Sequence, residues 1–95
     1  MPRLIITSEG KRQEYELRHA TTFGRSSKCT IRVPGSKVSR EHARIVLQDG
    51  AYRLEDLHSS NGTFVNGTRI ESCTLKPGDV IRVGTADYTF ADRIE

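Results

Sequence analysis

TFVNGTRI, residues 63–70, sets the reading of the whole chain. Thr63, Phe64 and Val65 favour extended backbone, as do Thr68 and Ile70, and between the two runs Asn66-Gly67 suits the two positive-φ positions of a type I′ turn. A two-residue turn sends the chain straight back along itself, so this octapeptide reads as a β-hairpin. The same pattern extends outward in both directions. Asp49-Gly50 and Pro77-Gly78 are turn pairs, the second suited to the middle of a type II turn, and short apolar or β-branched runs fill the intervals. Predicted strands cover residues 4–7, 14–17, 21–24, 30–33, 43–47, 52–57, 63–65, 68–70, 73–75, 80–83 and 87–90, eleven in all. Only residues 36–48 compete as a helix. There Val38, Ala43, Ile45, Val46 and Leu47 do not recur at i, i+3 and i+4, and they end in a β-branched cluster. The chain is therefore expected to be all-β, a sandwich or barrel whose two ends lie close together.

Ninety-five residues are enough for one core and no more, so residues 1–95 are expected to form a single domain. No apolar run approaches the roughly 20 residues that span a bilayer, and the opening MPRLIITSEG turns polar too soon for a signal peptide. These features imply a soluble, cytoplasmic chain with no membrane partner. Cys29 and Cys73 are 44 residues apart and show no metal-ligand spacing, so they are expected as small buried side chains, with no metal and no cofactor.

The charge is unevenly spread. Net charge is +3, yet from Arg25 to Arg44 six cations (Arg25, Lys28, Arg32, Lys37, Arg40, Arg44) meet a single anion, Glu41, which leaves that segment at +5 and the rest at −2. A concentrated basic patch on a slightly acidic body suits a compact anion better than a long nucleic-acid backbone. A basic nucleic-acid-binding barrel is the alternative. It normally carries stacking aromatics among its cations, whereas Phe23, Phe64, Phe90 and the three tyrosines fall on strand positions that read as core.

Three stretches place polar residues where loops are expected: GRSSKCTI (24–31), SKVSREHARI (36–45) and LEDLHSSNGTFVNG (54–67). With Leu75, Pro77, Gly78, Asp79, Ile81, Val83 and Gly84 of the L-x-PGD-x-I-x-VG run, they make residues 4–90 resemble the forkhead-associated (FHA) domain. The resemblance implies an eleven-stranded sandwich of two largely antiparallel sheets whose loops at one end grip a threonine-phosphorylated peptide or protein. It implies a binding module for Ser/Thr kinase signalling, not an enzyme, and a monomer unless it is part of a larger protein.

Arg25, projected from a loop base by Gly24, offers the planar fork that matches phosphate oxygens. The resemblance assigns phosphate contacts to Ser39, Arg40 and Ser60 as well, with the Ser39 hydroxyl expected to face solvent before ligand arrives. Asn61 is expected to hold the ligand main chain, Lys37 to influence the residues beside the phosphothreonine, and Asn66 to touch the peptide in a lesser way. His42 lies three residues after Ser39, but it has no orienting third group that would make a catalytic set. The resemblance makes it a brace between loops. Gly24, Gly62, Thr63 and Gly67 are expected to be structural, Gly62 by permitting close approach at a niche for the threonine methyl.

Overall fold

The structure is a computed structural model that describes residues 2–8, 11–16 and 20–92, the backbone course alone for residues 2–8, 11–16 and 91–92. The expected strand end at Leu17 lies outside the described residues, as do Met1, Glu9 and Gly10 of the opening decapeptide. Among the described residues the fold is all-β, without a helix. The strands are β1 (Pro2–Ser8), β2 (Lys11–Glu16), β3 (Ala20–Gly24), β4 (Ile31–Arg32), β5 (Ala43–Gln48), β6 (Ala51–Asp56), β7 (Thr63–Val65), β8 (Thr68–Ile70), β9 (Ser72–Thr74), β10 (Val80–Val83) and β11 (Ala86–Asp92). They form a sheet of order β2-β1-β11-β10-β7-β8 and a second of order β4-β3-β5-β6-β9. Every pairing is antiparallel except β3 with β4.

Turn chemistry sets the register. Asn66 and Gly67 take φ of 51° and 84° between β7 and β8, and Asp49 and Gly50 take 52° and 78° between β5 and β6, both consistent with type I′. At Lys76–Asp79 the Asp79 N–H donates to Lys76 O at 3.0 Å and Gly78 has φ of 94°, the type II geometry that Pro77-Gly78 predicts.

Alternation within strands builds the core. Phe23, Ile45 and Leu54 from one sheet meet Val65, Ile81, Val83, Tyr88 and Phe90 from the other, all buried. Two aromatic pairs cross the gap: Phe23 lies edge-on to Tyr88 with centroids 5.2 Å apart, and Tyr52 is tilted against Phe90 at 5.8 Å. Phe64 departs from its expected core position. Thr63 and Val65 point inward, so the period-2 pleat turns Phe64 outward between Arg82 and Arg69 on neighbouring strands, half-buried. Cys29 and Cys73 are free thiols and only half-buried, and burial pushes the Cys73 thiol up despite the nearby Arg53.

Strand direction decides what gathers at each end of the sandwich. β3 finishes, β5 starts, β6 finishes and β7 starts at one end, bringing residues 25–30, 33–42 and 57–62 together. Pro2 and Asp92 pair at the other end.

Candidate functional site

Each of the three loops is fastened to its neighbours through the main chain. The Arg25 N–H donates to Ser39 O at 3.0 Å and the Ser26 N–H to Arg40 O at 3.2 Å, so the loop after β3 runs alongside the loop before β5. Gly24 makes that approach possible, because a Cβ there would lie 2.0 Å from Arg40 O. Within the first loop the Ser26 hydroxyl accepts from the Lys28 N–H at 3.2 Å, a short serine turn that shapes the backbone under Lys28. Val38 plugs the second loop into the core, buried and packed against Gly84.

His42 is fully buried and joins the second loop to the third. The Ser39 N–H donates to its Nδ1 at 3.1 Å, so Nε2 carries the ring proton and donates to Gly62 O at 2.8 Å. Both ring nitrogens are thus committed to backbone. This is a brace, and it leaves no nitrogen free to take a proton from a nucleophile.

The third loop has its own frame in Asp56. Its carboxylate accepts from the Ser59 hydroxyl at 2.5 Å, the Ser59 N–H at 3.1 Å and the Thr63 hydroxyl at 2.7 Å, while the Ser59 Oγ accepts from the Gly62 N–H at 3.0 Å. Burial alone would raise the Asp56 carboxyl. The donors from Ser59 and Thr63, with His42 close by, outweigh it and hold the group below the ordinary value of 3.8. His58, at φ of 56°, turns the chain within this frame.

The remaining polar groups face outward. The Ser39 Oγ accepts from the Ser60 N–H at 3.1 Å and keeps its own O–H to donate. Asn61 Nδ2 spends one hydrogen on Lys37 O at 3.0 Å, which leaves its second hydrogen and its carbonyl oxygen for another partner. Beside them Arg25, Ser26, Lys28, Arg40 and Glu41 line an open cleft. Three arginines on the strands are taken up by carboxylates: Arg44 by Glu55 at 2.7 Å, Arg53 by Glu55 at 3.8 Å and Arg82 by Asp87 at 3.0 Å. Among the described residues Arg25, Lys28 and Arg40 have no such partner. Unpaired cations converging on one cleft, beside outward hydroxyl and amide donors, make a receptor for a compact oxyanion.

The sequence profile of the FHA domain matches residues 21–84. The chain belongs to the FHA domain family. Its fold superposes with a TM-score of 0.89 on a structure from a study of phosphothreonine-dependent FHA domain interactions, at 30% identity over 100% of both chains. FhaA of Mycobacterium tuberculosis is 36% identical over 80 residues, 83% of this chain and 15% of FhaA. The FhaA FHA domain, complexed with the intracellular domain of Rv3910, has a TM-score of 0.86 at 33% identity and matches 95% of this chain and 99% of that one. M. tuberculosis EmbR in complex with a low-affinity phosphopeptide gives 0.85 at 35% identity, over 95% of this chain and 24% of EmbR. The chain spans from 8% to 52% of the length of the curated relatives it matches.

In this FHA domain Arg25, Lys37, Ser39, Arg40, Ser60 and Asn61 all fall on the loops at one end, with Gly24, His42, Gly62 and Thr63 beneath them. Three details differ from expectation. The Ser39 hydroxyl does not simply face solvent, since it also holds the Ser60 N–H. The space left by Gly62 is filled by Arg69, whose Nε would lie 2.6 Å from a Cβ there, so close approach at that glycine serves the fold's own arginine. Asn66 sits at the far end of β7, where Nδ2 donates to Asp79 at 3.0 Å and Oδ1 accepts from the Val80 N–H at 3.0 Å; Gly67 completes the turn beside it. That clamp leaves Asn66 away from the gathered loops and committed to β10. Sequence reasoning counted Lys28 in the basic segment without giving it a place in the site, and it passed over Asp56 and Ser59. An acid ending a strand just before Ser-Ser-Asn-Gly is the available signal for the Asp56 frame, because such side chains commonly cap the turn that follows.

Proposed function

We propose that residues 1–95 form a single eleven-stranded FHA module that binds a threonine-phosphorylated peptide or protein within Ser/Thr kinase signalling. Arg25, Arg40, Ser39 and Ser60 hold the phosphate and Asn61 holds the ligand main chain. Lys37 lies at the rim through which the residues beside the phosphothreonine pass. The module acts by binding and not by turnover, in the cytoplasm, as a monomer unless it belongs to a larger protein, and its ligand is neither nucleic acid nor membrane.

The observation that carries this reading is the gathering in one cleft of Arg25, Lys28 and Arg40, which have no carboxylate partner among the described residues, in contrast to Arg44, Arg53 and Arg82. A phosphothreonine brings about −1.5 to −2 charges at pH 7 and three acceptor oxygens, which suits two guanidinium forks and two hydroxyls. Phosphate donors alone do not tell threonine from serine. Burying one methyl is worth about 0.8 kcal/mol, roughly fourfold in affinity. On this reading the methyl packs between the loops carrying Ser39 and Ser60, and a ligand without it forfeits those contacts as well as the burial. The expected order is therefore phosphothreonine over phosphoserine by more than about tenfold, then phosphotyrosine, with the bare peptide negligible. Competition by fluorescence polarisation among four otherwise identical peptides tests it, and equal binding of bare and phosphorylated forms would refute the function.

A further inference from the structure

The cleft holding Arg25 and Arg40 does not end at them. A second groove, over the Thr22 and Arg44 rung that β3 and β5 share, is lined by Ser26, Lys28 and Glu41 from the first cleft and closed by Leu57. The three shared residues border both depressions, so the second groove adjoins the first cleft and lies on the outer face of the five-stranded sheet. Arg44 is neutralised on its floor by Glu55 at 2.7 Å. Lys28 and Glu41 are different. Both are exposed, both line both depressions, and among the described residues neither makes an ion pair with the other or with any carboxylate or cation.

Opposite charges that border the same two grooves without neutralising each other remain free for a third party. Glu41 is also the one anion in the +5 segment, an awkward neighbour for an incoming phosphate. A site built only to attract phosphate gains nothing from a carboxylate at its mouth. We propose that this adjoining groove is a second subsite that takes the ligand stretch on one side of the phosphothreonine, with Glu41 selecting a basic ligand residue and Lys28 an acidic one. The inference rests on the phosphothreonine reading above. The backbone under Lys28 is shaped by the Ser26 turn, and Glu41 adjoins Arg40, whose carbonyl is held by the Ser26 N–H, so both charges stand on ordered segments.

The test uses phosphothreonine peptides of otherwise neutral sequence in which a single Lys or a single Glu is walked through the positions on either side, titrated by fluorescence polarisation at low ionic strength. Partly exposed charge pairs contribute up to about 1 kcal/mol, so the Lys form should beat the Glu form about fivefold at one position and lose to it at another. Both positions should lie on the same side of the phosphothreonine. Glu41→Lys should invert the preference at the first position and Lys28→Glu at the second, each without moving the other. No position with a preference above about twofold, or a shift in Glu41→Lys that is uniform along the peptide, would overturn the subsite. The all-neutral phosphopeptide keeps the two questions apart: if it binds no better than its bare form, the proposed function itself fails.

Discussion

Arg25 is anchored by its main chain, its N–H given to Ser39 O at 3.0 Å and its carbonyl accepting Arg32 Nε at 3.1 Å, while its guanidinium has no partner among the described residues. Arg25→Ala should therefore cost ligand binding about 2–3 kcal/mol, the range for hydrogen bonds to charged groups, and leave stability within about 0.5 kcal/mol. Calorimetry beside a thermal melt separates the two. His42 is the opposite case, buried and bonded at both nitrogens. His42→Ala strands the Ser39 N–H and Gly62 C=O, so it should lower unfolding free energy by roughly 1–3 kcal/mol in urea denaturation, and it should weaken binding only through the loops it braces. Asp56 adds a pH dependence of known sign. Its folded-state value is depressed, so its contribution is present above the ordinary carboxyl value near 3.8 and is lost as acid protonates it. Wild-type stability should therefore fall more steeply than that of Asp56→Asn as pH drops below about 4. Parallel pH profiles of the two would show that the Asp56 frame carries no such linkage.

Loops are held here by strand ends, and glycines at those ends respond according to what surrounds them. At Gly24 an added Cβ meets backbone, Arg40 O at 2.0 Å, which cannot yield as a flexible side chain can. At Gly50 nothing lies within 4 Å and only the φ of 78° resists. Gly24→Ala should accordingly cost roughly 3 kcal/mol and abolish binding, whereas Gly50→Ala should cost about 1 kcal/mol and leave affinity unchanged. Thermal melts and phosphopeptide titration of the pair would check the contrast. The same distinction explains what was legible in the sequence. Turn pairs such as Asn66-Gly67 and Pro77-Gly78 announce their geometry locally, and the loop order of Arg25, Ser39, Ser60 and Asn61 follows once strands of the expected spacing are paired. Phe64 was misplaced because three residues give too short an alternation to fix which face is inner. The place of Lys28 in the cleft and the Ser39–Ser60 bond were not legible, since each depends on residues from different loops meeting in space.

At the scale of the whole molecule, among the described residues Arg25, Lys28 and Arg40 gather at one end without a carboxylate partner, while Arg44, Arg53 and Arg82 on the sheets are paired. Such a field acts on approach as well as on the complex, so association with a phosphopeptide should slow markedly between about 50 and 500 mM salt while dissociation changes less. Stopped-flow fluorescence resolves the two rates, and an association rate indifferent to salt would contradict the field. The far end has a consequence of another kind. Pro2 and Asp92 are cross-strand partners there, and the gathered loops lie at the opposite end. Neighbouring strands stand about 4.8 Å apart. A host polypeptide would thus need to part by little more than the width of one ladder rung to accept this unit as an insertion. It would then carry the unit like a plug on two adjacent leads, with the contact face directed away from the socket.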